Sequence, residues 1–214
     1  MSRQRPKPCR RVCLVEGKSE QFVIPHWLEK AGVAWPSKNE PVWLEDCAGY
    51  ERVLTSIAIE MKASGVTALG VIVDADASAA NRWAGLSSRL RELGVSNVPL
   101  TLPSEGFVGR RDAMQVGVWV MPDNINAGML ESVLLQARDS DATLLSHAEE
   151  SVRRARALGA TTKEVHHAKA ELHTWLAWQD PPDLQMHTAI DAGVLKPPSA
   201  DQPFVQWFRK LFSL

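Results

Sequence analysis

Residues 66–73, VTALGVIV, constrain this chain more than any other stretch: the run is apolar throughout its second half and ends directly on Asp74-Ala75-Asp76. It is too short to cross a bilayer and suits a central β-strand covered on both faces. Further strands are expected at 12–15 (VCLV), 41–45 (PVWLE), 98–102 and 116–121. Helical spacing of apolar residues falls between them at 19–32, 50–63 and 79–93, closed by Gly32, Gly65 and Gly94. Ser19 could cap the first of these helices, and Pro25 lies inside it. Strands alternating with helices define an α/β protein, with a Rossmann-like parallel sheet covered by helices on both faces. After about residue 128 the pattern turns helical, over 128–138, 142–158, 161–178, 184–192 and 202–213. The expected plan is an α/β core over 1–138 with a helical C-terminal extension, 139–214, packed on it.

Composition excludes several classes. With 214 residues, 45% of them hydrophobic and 23% charged, the chain can bury a core and is not of the disordered type. Its net charge of −1 rules out a polycation that coats nucleic acid, so contact with DNA or RNA needs a local basic patch. Arg3, Arg5, Lys7, Arg10 and Arg11 form either such a patch or a solvated tail. Cys9, Cys13 and Cys47 complete no zinc pattern, and their odd number fits a reducing compartment. With no signal peptide and no membrane span visible, a cytoplasmic location and no membrane partner are expected.

Loops at the carboxyl ends of parallel strands line the ligand sites of such sheets. Acidic residues fall at three of these ends. Glu16 follows the first strand, with Glu20 four residues on; Asp74 and Asp76 follow the central strand; Asp123 follows VGVWVMP, with Glu131 in the next helix. Residues i and i+2 in extended chain share a face, so Asp74 and Asp76 can point one way. Each Asp at a strand end has the alternative of forming a turn or capping a helix. Converging carboxylates repel unless a shared proton or a cation neutralises them. Several acids at one place favour a cation, and oxygen-only ligands favour Mg²⁺ or Mn²⁺ over zinc.

VEGKSE, then VIVDADA, then a third acidic segment resemble, in that order, the Toprim domain shared by topoisomerases, primases and OLD-family nucleases. GVWVMPDNINAGMLES and AKAELHTWLAWQ are similar to a small group of stand-alone bacterial Toprim-like proteins. The resemblance implies a Toprim-like fold and a site holding one or two Mg²⁺ or Mn²⁺ ions. Glu16 then matches a general acid/base or metal ligand, Glu20 a second acid, Asp74 and Asp76 the metal-binding pair, and Glu131 or Asp123 a downstream ligand. Lys169 resembles a late Lys that stabilises charge on the phosphate, so that Glu16 and Lys169 are the catalytic candidates. The implied activity is phosphodiester hydrolysis of DNA or RNA, with an ATPase encoded as a separate chain as partner in an anti-phage setting. A topoisomerase needs a Tyr nucleophile in an added domain, and the single Tyr here, Tyr50, lies in a core helix. No primase-type zinc module is visible. Gly17-Lys18-Ser19 mimics the end of a P-loop, but the earlier Gly that motif requires would fall at Val12.

Lys18, Arg110 and Arg111 sit in expected loops, as phosphate contacts or as solvated side chains. His166, His167 and His173 accompany Lys169 on one helix, as surface or capping histidines, as ligands of a metal site, or with Lys169 and His173, four apart, facing a phosphate. The eight Trp residues suit core packing or a partner interface, with base stacking by Trp175, Trp178 or Trp207 as the alternative. Exposed apolar residues on the C-terminal helices would suit a homodimer. The competing functions are a non-catalytic Toprim-fold subunit that binds an ATPase, and an unrelated α/β enzyme with an Asp-x-Asp metal site. A haloacid-type phosphohydrolase would carry its Asp-x-Asp after the first strand, where VEGKSE stands here.

Overall fold

The computed structural model describes residues 5, 9–36, 38–137, 142–182, 184–196 and 198–214. The tail residues Arg3 and Lys7 and the expected boundary at 138/139 lie outside these. Five strands form one sheet in the order β2-β1-β3-β5-β4: β1 (Arg11–Val15), β2 (Trp43–Asp46), β3 (Ala68–Asp74), β4 (Phe107–Arg111) and β5 (Met114–Met121). The first four in that order run parallel, and β4 closes the edge antiparallel to β5. α1 (Lys18–Lys30) makes the crossover from β1 to β2, and α2 (Tyr50–Glu60) the one from β2 to β3, past β1. After β3 comes α3 (Ala79–Glu92). α1 begins at Lys18 with Gly17 as its N-cap, so Ser19 lies inside the helix instead of capping it.

The fifth strand differs from expectation. Residues 98–102 form no strand: Pro99 has no N–H to give a ladder, Leu100 is 90% exposed, and its carbonyl accepts from Trp83 Nε1 at 3.2 Å. The strand is instead 107–111, FVGRR, which turns into β5 through Asp112-Ala113, with Asp112 in the left-handed region. Its half-polar composition reads as a loop because an edge strand needs no apolar run on both faces.

Side-chain alternation sends the two faces of the sheet to different partners. Val12, Leu14, Leu69, Val71, Val73, Val116, Val118 and Val120 join the core with α2 and α3. Cys13, Val15, Ile72, Trp119 and Met121 join the other core. That second face is covered by α1 and by the C-terminal helix α8 (Pro203–Phe212), which packs on β3, β4 and β5. α8 can lie so close because Gly70 and Gly117 are paired across β3 and β5. A Cβ at Gly70 would stand 2.7 Å from the Phe212 ring, and one at Gly117 2.7 Å from Leu211.

The remaining helices are α4 (Leu130–Gln136), α5 (Ala142–Ala157), α6 (His167–Leu176) and α7 (Met186–Asp191), with a single 3-10 turn, Glu164–His166, leading into α6. The expected helix 161–178 is therefore shorter at both ends. α6 packs between α4 and α5, and α7 packs on α1. Of the Trp side chains named above, Trp175 and Trp207 are buried and belong to the core, while Trp178 is half exposed and stacks on His147 with ring centres 5.1 Å apart. No helix among the described residues is long and apolar enough to cross a membrane.

Candidate functional site

The parallel strands all deliver their carboxyl ends to one side of the molecule, and each brings an acid or leads to one. β1 ends one residue before Glu16, and the tight entry at Gly17 starts α1 so that Glu20 lies in its first turn. β3 ends on Asp74 itself. Beyond it the chain turns at Asp76, whose backbone adopts φ 49°. Asp76 is then held by a reciprocal pair of backbone bonds with Gly128, 2.9 and 2.8 Å, just ahead of α4. That pairing sets Glu131, in the first turn of α4, beside Asp74.

The contacts are specific. Glu16 Oε2 accepts from the Asp74 N–H at 3.3 Å, and Asp74 Oδ1 accepts from the Leu130 N–H at 3.0 Å. A Cβ on Gly17 would come 3.3 Å from Glu20 Oε2, so Gly keeps room for that carboxylate. Glu20 is 5% and Glu131 2% exposed. Glu131 Oε1 pairs with Lys169 Nζ of α6 at 3.2 Å. On the outer side, Arg82 of α3 pairs with Asp76 and reaches Glu16 Oε1 at 4.0 Å. Its guanidinium lies 4.1 Å over the ring of Tyr50, whose hydroxyl donates to the Arg82 carbonyl at 3.1 Å.

Crowding of like charge in a buried place raises the inner carboxyls. Burial drives Glu20 up to about 7; its own N–H and that of Gly17 oppose the rise, and the charges of Glu131 and Glu16 add to it. Asp74 is pushed well above the ordinary range, by burial first and then by Glu20, Glu131 and Glu16, against the Leu130 N–H. Burial also raises Glu16, against Arg82 and the Asp74 N–H, while Asp76 adds to the rise.

Glu16, Glu20, Asp74, Asp76 and Glu131 thus stand together, with Lys169 at their edge. Lys18 is exposed at the first position of α1, on the same side. Asp123 is used differently. Its Oδ1 accepts from the N–H groups of Ile125 and Asn126 at 3.0 and 2.8 Å, and its Oδ2 from the Asn126 side chain at 2.6 Å. Its carboxyl lies below the usual range, because these bonds outweigh its desolvation. It forms the turn after β5, the alternative open to any Asp at a strand end.

Arg110 and Arg111 belong to β4 and not to a loop beside the acids. Arg110 pairs with Gln115, level with Ala68 at the start of β3. The seven residues from Ala68 to Asp74, six steps of extended chain, put them about 20 Å from the acids along the strand. Their reassignment follows from the antiparallel hairpin, which returns the chain to the amino ends of the parallel strands. Arg82 and Tyr50, by contrast, have a part here that the sequence did not suggest. The one signal for Arg82 is its place in the helix that follows Asp-x-Asp, six residues after Asp76.

The donor set is oxygen only, as Mg²⁺ or Mn²⁺ would require. Among the described residues, the groups that act on Glu20 and Asp74 are backbone N–H groups and other carboxylates. Among the described residues no three His, Cys, Asp or Glu side chains are already arranged around a common point. The residues fit a hard cation by the chemistry of their donors.

Fold and site together define an α/β protein with an acidic cluster at the carboxyl ends of its parallel strands. The chain belongs to the family described as "Protein of unknown function (DUF3226)", whose model matches residues 10–213. Among curated proteins none matches it. Among solved structures it is similar to the C-terminal region of the Burkholderia pseudomallei OLD protein, at 17% identity and TM-score 0.46, covering 95% of this chain and 98% of that one. It is also similar to the C-terminal region of the Xanthomonas campestris pv. campestris OLD protein, at 15% identity and TM-score 0.47, covering 97% and 98%.

Proposed function

We propose that this chain is a Toprim-type nuclease that hydrolyses phosphodiester bonds of DNA or RNA with Mg²⁺ or Mn²⁺. The observation that carries the reading is the pair of a buried Glu20 and a partly buried Asp74, both of raised proton affinity, set among Glu16, Asp76 and Glu131. The order Glu16, Glu20, Asp74-x-Asp76, Glu131 is also the order of the Toprim resemblance. Glu20, Asp74 and Glu131 would hold an ion on the inner side, with Glu16 and Asp76 on the outer. A bound divalent ion supplies Lewis acidity toward a phosphate oxygen and lowers the pKa of an attacking water. Glu16, more open than Glu20, would serve as the general base toward an attacking water. Lys169, half exposed beside Glu131, offers positive charge to a phosphate oxygen.

Supercoiled plasmid and tRNA are incubated with the protein and Mg²⁺ or Mn²⁺, with and without a neighbouring ATPase. Wild type is expected to cleave one of them, and Asp74→Ala and Glu16→Ala to lose about 100-fold or more of the rate. Cleavage that survives both substitutions would sink the mechanism.

One observation favours a second reading, a non-catalytic subunit that binds an ATPase partner. Lys169 and Arg82 already neutralise Glu131, Asp76 and Glu16 from within the chain. A cellular effect that persists in Asp74→Ala would favour that reading.

A further inference from the structure

Beside the acidic cluster lies an open surface depression of about 510 Å³, lined by Lys163, His166, Lys169, His173 and the hydroxyl-bearing Thr161 and Thr162, with Ala170 between them. No Asp or Glu is among its described lining residues. His166, Lys169 and His173 fall at spacings of three and four and so share a face of α6 and the turn before it. The acids of this segment are on the other side. Glu164 pairs with Arg156 at 2.5 Å and with His167 Nδ1 at 3.6 Å, and Glu171 stands 3.3 Å from His167 Nε2. Charge is therefore segregated around the helix, with the basic face turned to the hollow. Lys169 joins the two places: it lines the hollow and its ammonium touches Glu131 of the acidic cluster.

We propose that this hollow is the subsite for the nucleic-acid backbone, holding a phosphate next to the one that the acidic cluster would act on. This rests on the nuclease reading and deepens it. A phosphodiester carries one negative charge and suits lysine ammonium, imidazole and hydroxyl donors. A backbone seated there passes Lys169 on its way to Asp74 and Glu16. Lys163, His166 and His173 then bind and orient the strand without touching the reacting atoms.

The test is fluorescence anisotropy with a labelled single-stranded oligonucleotide in EDTA, so that no metal contributes. The triple variant Lys163→Ala/His166→Ala/His173→Ala is compared with wild type and with Arg110→Ala/Arg111→Ala at the far end of the sheet. Lys163, His166, His173 and Arg110 are exposed and Arg111 is partly buried, donating to the Met61 carbonyl at 3.4 Å, so coincident thermal melts check that the variants fold. The triple variant is expected to bind about 10-fold more weakly at about 50 mM salt, and its salt slope to fall by about 1 to 2. The Arg110/Arg111 variant and Lys163→Arg should bind as wild type does. Equal affinity and slope for wild type and the triple variant would overturn the proposal. So would displacement of the oligonucleotide by inorganic pyrophosphate at equal phosphate concentration, which would assign the hollow to a small phosphate. Calorimetric Mn²⁺ binding to wild type and Asp74→Asn separates the two readings. Mn²⁺ bound with no effect of the triple variant removes the hollow and leaves the metal site. A loss in the triple variant with no Mn²⁺ bound keeps the hollow and removes the metal site.

Discussion

Glu20 carries a pH signature that follows from its surroundings. Its carboxyl is raised from an ordinary 4.5 to about 7, chiefly by burial. A carboxyl raised on folding binds its proton more tightly in the native state. Its stabilising contribution is whole below the unfolded value and is lost as pH rises through about 7. The metal-free protein should therefore lose on the order of 3 kcal/mol of stability between about pH 5 and pH 8. Thermal melts across that range check this, and Glu20→Gln should flatten the profile. Added Mg²⁺ should raise the melting temperature more at the upper end of the range than at the lower. Arg82 gives a second expectation at this scale. Replacing it by Met frees Asp76 and Glu16, so Mn²⁺ should bind about 5-fold more tightly, a gain on the order of 1 kcal/mol. Calorimetry that finds weaker binding would mean that Arg82 positions the acids instead of competing for them.

At the scale of elements, the contact between α8 and the sheet rests on two residues without side chains. Gly70→Ala would drive a methyl to 2.7 Å from the Phe212 ring and 2.9 Å from Cys13 Sγ. The expected cost is about 1–3 kcal/mol, read from urea denaturation, and Gly117→Ala should behave alike. Gly85 has a similar part on the other face, where a Cβ would stand 2.5 Å from the Tyr50 hydroxyl. It leaves room for the ring on which Arg82 lies. At this level much was legible in advance. VTALGVIV announced the central strand because a strand buried on both faces must be apolar at successive positions. FVGRR did not announce β4, because an edge strand carries no such demand. VPLTL suggested a strand by composition, but Pro99 cannot donate to a ladder and the segment stays outside the sheet.

Taken whole, the molecule folds its C-terminal region back into the protein. Phe204, Trp207, Phe208, Leu211 and Phe212 of α8 are buried in the same core as Trp27, Trp119 and Trp175. A chain ending before Pro203 would expose one face of β3 and β5 to water. It should show no cooperative unfolding transition by circular dichroism. The sequence by itself determined the α/β class, the strand–helix order through β3, and which acids stand at strand ends, because burial pattern and chain direction are local properties. Only the tertiary structure decided which of those acids meet. Asp74 and Asp76 were first a pair of neighbours. The pairing of Asp76 with Gly128 sets Glu131 beside Asp74, while Asp123 is taken by its own turn. Arg82 and Lys169 join from helices 6 and 95 residues beyond Asp76 and Asp74 respectively. The meeting of Lys169 with Glu131 depends on helix packing across 38 residues of chain, which no local pattern encodes.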